Sequence, residues 1–255
     1  MTAREPIWSE QRRRVPGAPA DLTLHVLSLD EISSWAFLRM DCLTEEELAH
    51  ARRLQEARSR ELLLVSRVAL RHVLAHRLGC RPDEVPIDHH PRTGAPYEIH
   101  GRAAAVMGRR AGIGPELAPS PALGRVQPVH FSVSRTEGVI ALATAGRPVG
   151  VDVERLQTEV EAGVLLDVLH PEDRARLSRL RGRRRARAVT RSWVRVEALV
   201  KGWGTGLSRD PSGIHVGSQP RAQFADDWWV SDVGTARREN ARLAVAWRMD
   251  PSPQV

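Results

Sequence analysis

Lysine is almost missing from this chain of 255 residues: of 38 lysine and arginine side chains one is lysine, Lys201, and all others are arginine. Tyrosine occurs once and phenylalanine three times, and the seven tryptophans sit within apolar patterns. A groove that tracks single-stranded nucleic acid interleaves aromatic platforms with cations. That pattern is absent, so the net charge of +7 directs attention to an anionic substrate or an acidic protein and away from nucleic acid. Cysteine is scarce as well. Cys42 and Cys80 lack metal-ligand spacing, and a reducing cytoplasm is the expected setting. No stretch approaches the roughly 18 uninterrupted apolar residues of a membrane helix, and the arginine- and proline-bearing residues 1–20 lack the apolar run of a secretory signal. They read as a flexible tail. Without a Gly-x-Ser-x-Gly elbow or a phosphate-cradling P-loop, a serine hydrolase of that type and a P-loop kinase are also set aside.

What remains is the composition of a globular protein, 42% hydrophobic and 27% charged, long enough for two packed halves. Asp21 to Leu29 alternates apolar and polar residues, the period of a half-buried strand. Thr44 and Glu47 form a capping-box pattern, opening one long helical region from Glu45 to Leu78 with Leu62, Val65, Ala69, Val73 and Leu74 at spacings of three and four; Gly79 and Pro82 end it. Residues 101–128 show no sustained period and read as a loop or insertion. Two β-segments over Val129 to Ala143, broken at Thr136 to Gly138, predict a hairpin, and Val149 to Glu154 predicts another strand. Helical patterns run from Pro171 to Lys201, and strands are expected again at Ile214 to Val216, Trp228 to Val230 and Leu243 to Trp247. The order predicts an α+β fold of two similar α/β halves, 21–147 and 148–248, with a tail over 249–255.

Chemistry concentrates in two motifs. Alternation along Val149-Gly-Val-Asp-Val-Glu154 places valines on one strand face and Gly150, Asp152 and Glu154 on the other. Two carboxylates sharing a face require a cation or a proton, and oxygen-only ligands suit magnesium completed by substrate phosphates. The competing view is a solvated strand edge. About 45 residues later, Trp193, Glu197 and Lys201 follow at intervals of four on one helix face. A glutamate there can reach a metal and a compact ammonium can follow a phosphate oxygen, which a planar guanidinium does less well. Against that stands an ordinary Glu–Lys surface pair worth a few tenths of a kcal/mol. Ten arginines crowd Arg174 to Arg195; they are a solvated face or a docking surface for an acidic protein. Asp88-His89-His90 does not make a zinc site, since neighbouring strand histidines face opposite ways.

Gly150-Val-Asp152-Val-Glu154 with Trp193-Val-Arg-Val-Glu197-Ala-Leu-Val-Lys201 and Gly204-Thr-Gly206-Leu207 resembles the two-domain 4'-phosphopantetheinyl transferases of the surfactin-synthetase-activating type. His130-Phe-Ser-Val-Ser134-Arg135 and Gly94-Ala-Pro96 add weaker likeness. The resemblance implies an active cleft between two similar halves and Mg2+-dependent transfer of phosphopantetheine from coenzyme A to a serine of an acidic acyl or peptidyl carrier protein. Asp152, Glu154 and Glu197 would be metal ligands, Glu197 the base, and Lys201 the cation at the phosphate. Coenzyme A would further meet Ser134, Arg135, Arg60, Gly94 and Pro96. No membrane partner and no nucleic acid are expected, and a monomer is. The chain departs from the family pattern where cations are usual, at Ala95, Val196 and Leu62, and carries Arg135 where a histidine is usual. These departures motivate a competing expectation: a non-transferring relative that binds coenzyme A thioesters or loaded carriers.

Overall fold

The computed structural model describes residues 12–89, 96–98, 129–204, 210–218, 223–225, 227–234 and 240–249. In chain order the elements are β1 (Arg12–Arg13), β2 (Thr23–Ser28), α1 (Leu29–Phe37), α2 (Glu45–Arg52), α3 (Ala57–Leu78), β3 (Asp88–His89), β4 (Pro96–Glu98), β5 (His130–Thr136), β6 (Val139–Ala145) and β7 (Val149–Arg155). They continue with α4 (Glu159–Val168), α5 (Pro171–Leu177), α6 (Gly182–Trp203), β8 (Gln223–Ala225), β9 (Trp228–Val233) and β10 (Ala241–Arg248). The expected mixture of α and β is present. Two compact units divide the chain, one formed by residues 28–130 and the other by the segments on either side of it. Residues 90–95 and the expected loop over 101–128 lie outside the described residues, as do Thr205 to Leu207.

In the larger unit, two four-stranded sheets with orders β1-β2-β6-β5 and β7-β10-β9-β8 share one core. Alternation sorts their faces. Val149, Val151 and Val153 of β7 and Leu243, Val245 and Trp247 of β10 meet Leu24, Val26, Ala141 and Ala143 of the other sheet. Burying each large apolar side chain contributes about 1.5–3 kcal/mol. The opposite face of the second sheet, with Val230, Ala244 and Ala246, is covered by α6 through Val196, Ala198, Leu199 and Val200. β7 therefore lies between a sheet and a helix, with valines toward one and Gly150, Asp152 and Glu154 toward the other.

Several boundaries differ from the sequence expectation. Residues 12–20 are not a loose tail: Arg12 and Arg13 pair with His25 and Leu24, and Val15 is buried. The helical region from Glu45 to Leu78 is two helices, α2 and α3, separated at Arg53 to Glu56 without glycine or proline. Its cause is an interaction distant in sequence. Arg71 of α3 donates through Nε to Glu47 Oε2 of α2 at 2.8 Å, with both side chains buried, whereas 24 residues of one continuous helix span roughly 36 Å. The chain must fold back for the pair to form, and the Arg60 guanidinium donates to the Leu54 carbonyl in the break at 2.8 Å. The Thr44–Glu47 capping box is present. A second one, Thr158 with Glu161, starts α4, a helix the sequence pattern left out. The region from Pro171 to Lys201 is likewise two helices, α5 and α6, and Ile214 to Val216 joins no sheet among the described residues.

Candidate active site

Gly150 sets the distance between β7 and α6. A Cβ there would fall 1.9 Å from the Ala198 carbonyl oxygen and 2.5 Å from the Gly202 amide nitrogen, so only glycine lets helix backbone lie on strand backbone. With Ala198 and Gly202 against Gly150, the preceding helix positions Glu197 and Lys201 project toward the next residues on the same strand face, Asp152 and Glu154. Trp193, one turn earlier, packs on the helix-side core.

Asp152 is 2% exposed. Its Oδ1 accepts from Lys201 Nζ at 2.6 Å and from Ser134 Oγ at 2.8 Å, and Lys201 also donates to Ser134 Oγ at 3.0 Å. Ser134 is held in place by the Val153 amide, which donates to its hydroxyl at 3.2 Å; the Val151 amide does the same to Ser132 at 3.0 Å. β7 is the edge strand of its sheet, and the two serines of β5 cover amides that an edge leaves open. Ser132 was not among the expected site residues. The alternation of Ser132 and Ser134 along β5 is the signal that marks it.

The acids around Lys201 repel one another. Burial, and next the charge of Asp152, lifts the Glu154 carboxyl to about 7, with Lys201 pulling the other way. The same causes raise Glu197 above the usual carboxylate range, again opposed by Lys201. Three carboxylates with one ammonium leave a net negative pocket that attracts a cation. The Asp152 Oδ2 atom is buried and has no hydrogen-bond partner among the described residues. A hard, oxygen-seeking divalent ion suits this donor set, but the cage expected from the sequence is not preassembled. Among the described residues no three His, Cys, Asp or Glu side chains surround one ion position, and the Oδ1 side of Asp152 is taken by Lys201.

The remaining expected residues are distributed more widely. Arg135 is exposed on β5, one position after Ser134. Arg60 belongs to the unit of residues 28–130, where it binds the Leu54 carbonyl. Pro96 opens β4, paired with His89, and Gly94 lies outside the described residues. Val196, where the resembled family has a lysine, is fully buried in the helix-side core and is a packing residue. Arg195, at the end of the arginine run, is not a docking residue either. It is buried, donates to both oxygens of Asp232 at 2.9 and 2.7 Å and to the Gly217 carbonyl at 2.9 Å, and so ties α6 to β9. Cys42 and Cys80 form no disulfide, and no described helix is long and apolar enough to cross a membrane.

Comparison with known proteins adds two findings. A Synechocystis protein named "Putative 4'-phosphopantetheinyl transferase" is 26% identical over 225 residues, covering 84% of this chain and 82% of the relative. The stretch that holds Asp152, Glu154, Glu197 and Lys201, residues 148–246, matches the family model of the 4'-phosphopantetheinyl transferase superfamily.

Proposed function

We propose that this protein transfers the 4'-phosphopantetheine group of coenzyme A to a serine of an acyl or peptidyl carrier protein, releasing adenosine 3',5'-bisphosphate, as a cytoplasmic monomer. One observation carries the proposal: three carboxylates and the chain's single lysine converge on the face shared by β7 and α6, inside the stretch similar to the superfamily. Asp152, Glu154 and Glu197 would hold Mg2+, which when bound neutralises charge on pyrophosphate oxygens. The protein's own groups then have distinct tasks. Glu197, with its raised proton affinity, takes the proton of the carrier serine as the serine oxygen bonds to phosphorus. The anhydride bond to the departing bisphosphate breaks, and the Lys201 ammonium meets the charge left on the phosphate oxygens. Ser134, bonded to both Lys201 and Asp152, holds the ammonium on the reacting side. Arg135 supplies a bidentate fork for a further phosphate of coenzyme A, and Arg60, Gly94 and Pro96 are the proposed remaining contacts.

The test is direct. Apo carrier protein incubated with the full chain, coenzyme A and Mg2+ gains the mass of one phosphopantetheine group, and the Asp152→Ala variant, folded by circular dichroism, leaves carrier mass unchanged. Unchanged mass with the native chain across several acyl and peptidyl carriers overturns the proposal.

A further inference from the structure

The arginine run resolves into two populations. Arg195 is consumed by Asp232, but earlier members line a groove of about 570 Å3 formed by Arg176 of α5, Arg179 after it, Arg184, Arg187 and Arg191 of α6, and Ser218. Leu177, Leu180 and Ala188 provide apolar lining between them. Among the described residues no carboxylate lines this groove. Arg176, Arg179, Arg184 and Arg187 have no ion pair among those residues, and Arg191 shares with Arg195 one Asp232 oxygen, at 3.4 Å, while its Nη1 donates to the Ser218 carbonyl at the groove wall at 3.5 Å. A sixth guanidinium stands beside the cluster on β10: burial first, then the charges of Arg191 and Arg187, holds Arg242 below the usual arginine range. Like charges crowded this way are relieved by a polyvalent anion.

We propose that this groove is a binding site for a small polyphosphate anion, separate from the acidic pocket around Lys201. The guanidinium fork matches phosphate oxygens two at a time, and five forks around one groove match several phosphates better than one. Its volume is that of small-molecule sites, which span roughly 300–1,000 Å3. Among the described residues no aromatic side chain lines it, so these offer no stacking platform for a nucleic-acid strand. Arg191, Arg187 and Arg184 precede Lys201 by roughly 15–25 Å of helix axis at about 1.5 Å per residue, so one phosphate chain of ordinary length does not bridge the two sites. The site does not depend on the proposed transfer activity.

Calorimetric titration of the full chain with inorganic tripolyphosphate, in chelator and about 0.15 M salt, tests this. Saturable one-to-one binding is expected, weakened at least about tenfold in the Arg184→Gln/Arg187→Gln variant and unchanged in Lys201→Met, with both variants shown by circular dichroism to be folded at the titration temperature. A parallel titration with ATP distinguishes the source of the anion. Equal affinity assigns recognition to phosphate alone, and tighter ATP binding that is lost in the same double variant places a nucleoside on the apolar lining; either supports the site. Lack of saturation overturns it, as does loss of binding in Lys201→Met with the double variant unaffected. An acidic helical peptide or a short RNA that binds at least tenfold more tightly than tripolyphosphate, through the same arginines, also overturns it, because the groove is then a surface for a macromolecule.

Discussion

Lys201 Nζ lies 2.6 Å from Asp152 Oδ1 across 49 residues of sequence, and one serine hydroxyl, that of Ser134, touches both. The only lysine of the chain is thus the counter-charge of its most deeply buried site carboxylate. An ammonium fits there because it donates to two oxygens on a short reach, where a guanidinium fork is wider and planar.

Lys201→Met removes that counter-charge. Breaking a buried pair costs about 3–5 kcal/mol, and partial exposure of Lys201 (31%) reduces this to roughly 1–3 kcal/mol by solvent screening. Urea denaturation should show the loss, and the double variant Asp152→Asn/Lys201→Met should recover much of it. A strictly additive cycle disproves the coupling. Transfer to apo carrier should fall on the order of 10²-fold or more in the single variant, the size seen when one charge-stabilising donor is removed.

Gly150 and Gly163 make a matched pair. At Gly150 an added methyl would meet helix backbone on α6, so Gly150→Ala is expected to lose about 3 kcal/mol or more of stability by overpacking. Gly163, inside α4, has open space around it, and Gly163→Ala is expected to gain about 0.5–1 kcal/mol. Equal midpoints for the two variants would contradict the close β7–α6 approach.

Glu161 reports acid sensitivity. The Arg155 guanidinium, and then the Thr158 amide and hydroxyl, hold its carboxyl down at about 2. A folded-state value below the unfolded one means the carboxylate's contribution is complete above about pH 4–5 and is lost as pH falls through about 2. Glu161→Gln should therefore melt below the native protein at neutral pH, with the gap closing toward pH 2. A gap that persists in acid would point to shape and not charge.

Arg71 ties α3 to α2 through Glu47 and also donates to the carbonyls of Pro82 and Val85, each at 3.1 Å. Arg71→Met leaves a buried carboxylate without its cation, and a loss of about 3–5 kcal/mol is expected, read from hydrogen exchange of α2 and α3 amides. Native-like protection there would contradict the assigned role.

The sequence by itself determined what depends on neighbours a few residues away. Alternation sorted Val151 and Val153 from Asp152 and Glu154. The Thr44–Glu47 box marked a helix start, and the spacing of four set Glu197 beside Lys201. Only the tertiary structure decided which charges meet. Glu47 with Arg71, Arg195 with Asp232 and Lys201 with Asp152 lie 24, 37 and 49 residues apart, and no local period encodes such pairings. The same packing breaks the chain between α2 and α3 without a glycine or proline, buries Arg195 while leaving Arg184 and Arg187 at the surface, and turns Val196 inward. Local patterns fix which face a side chain occupies. What that face meets is settled by how sheets and helices exclude water together, a property of the whole chain.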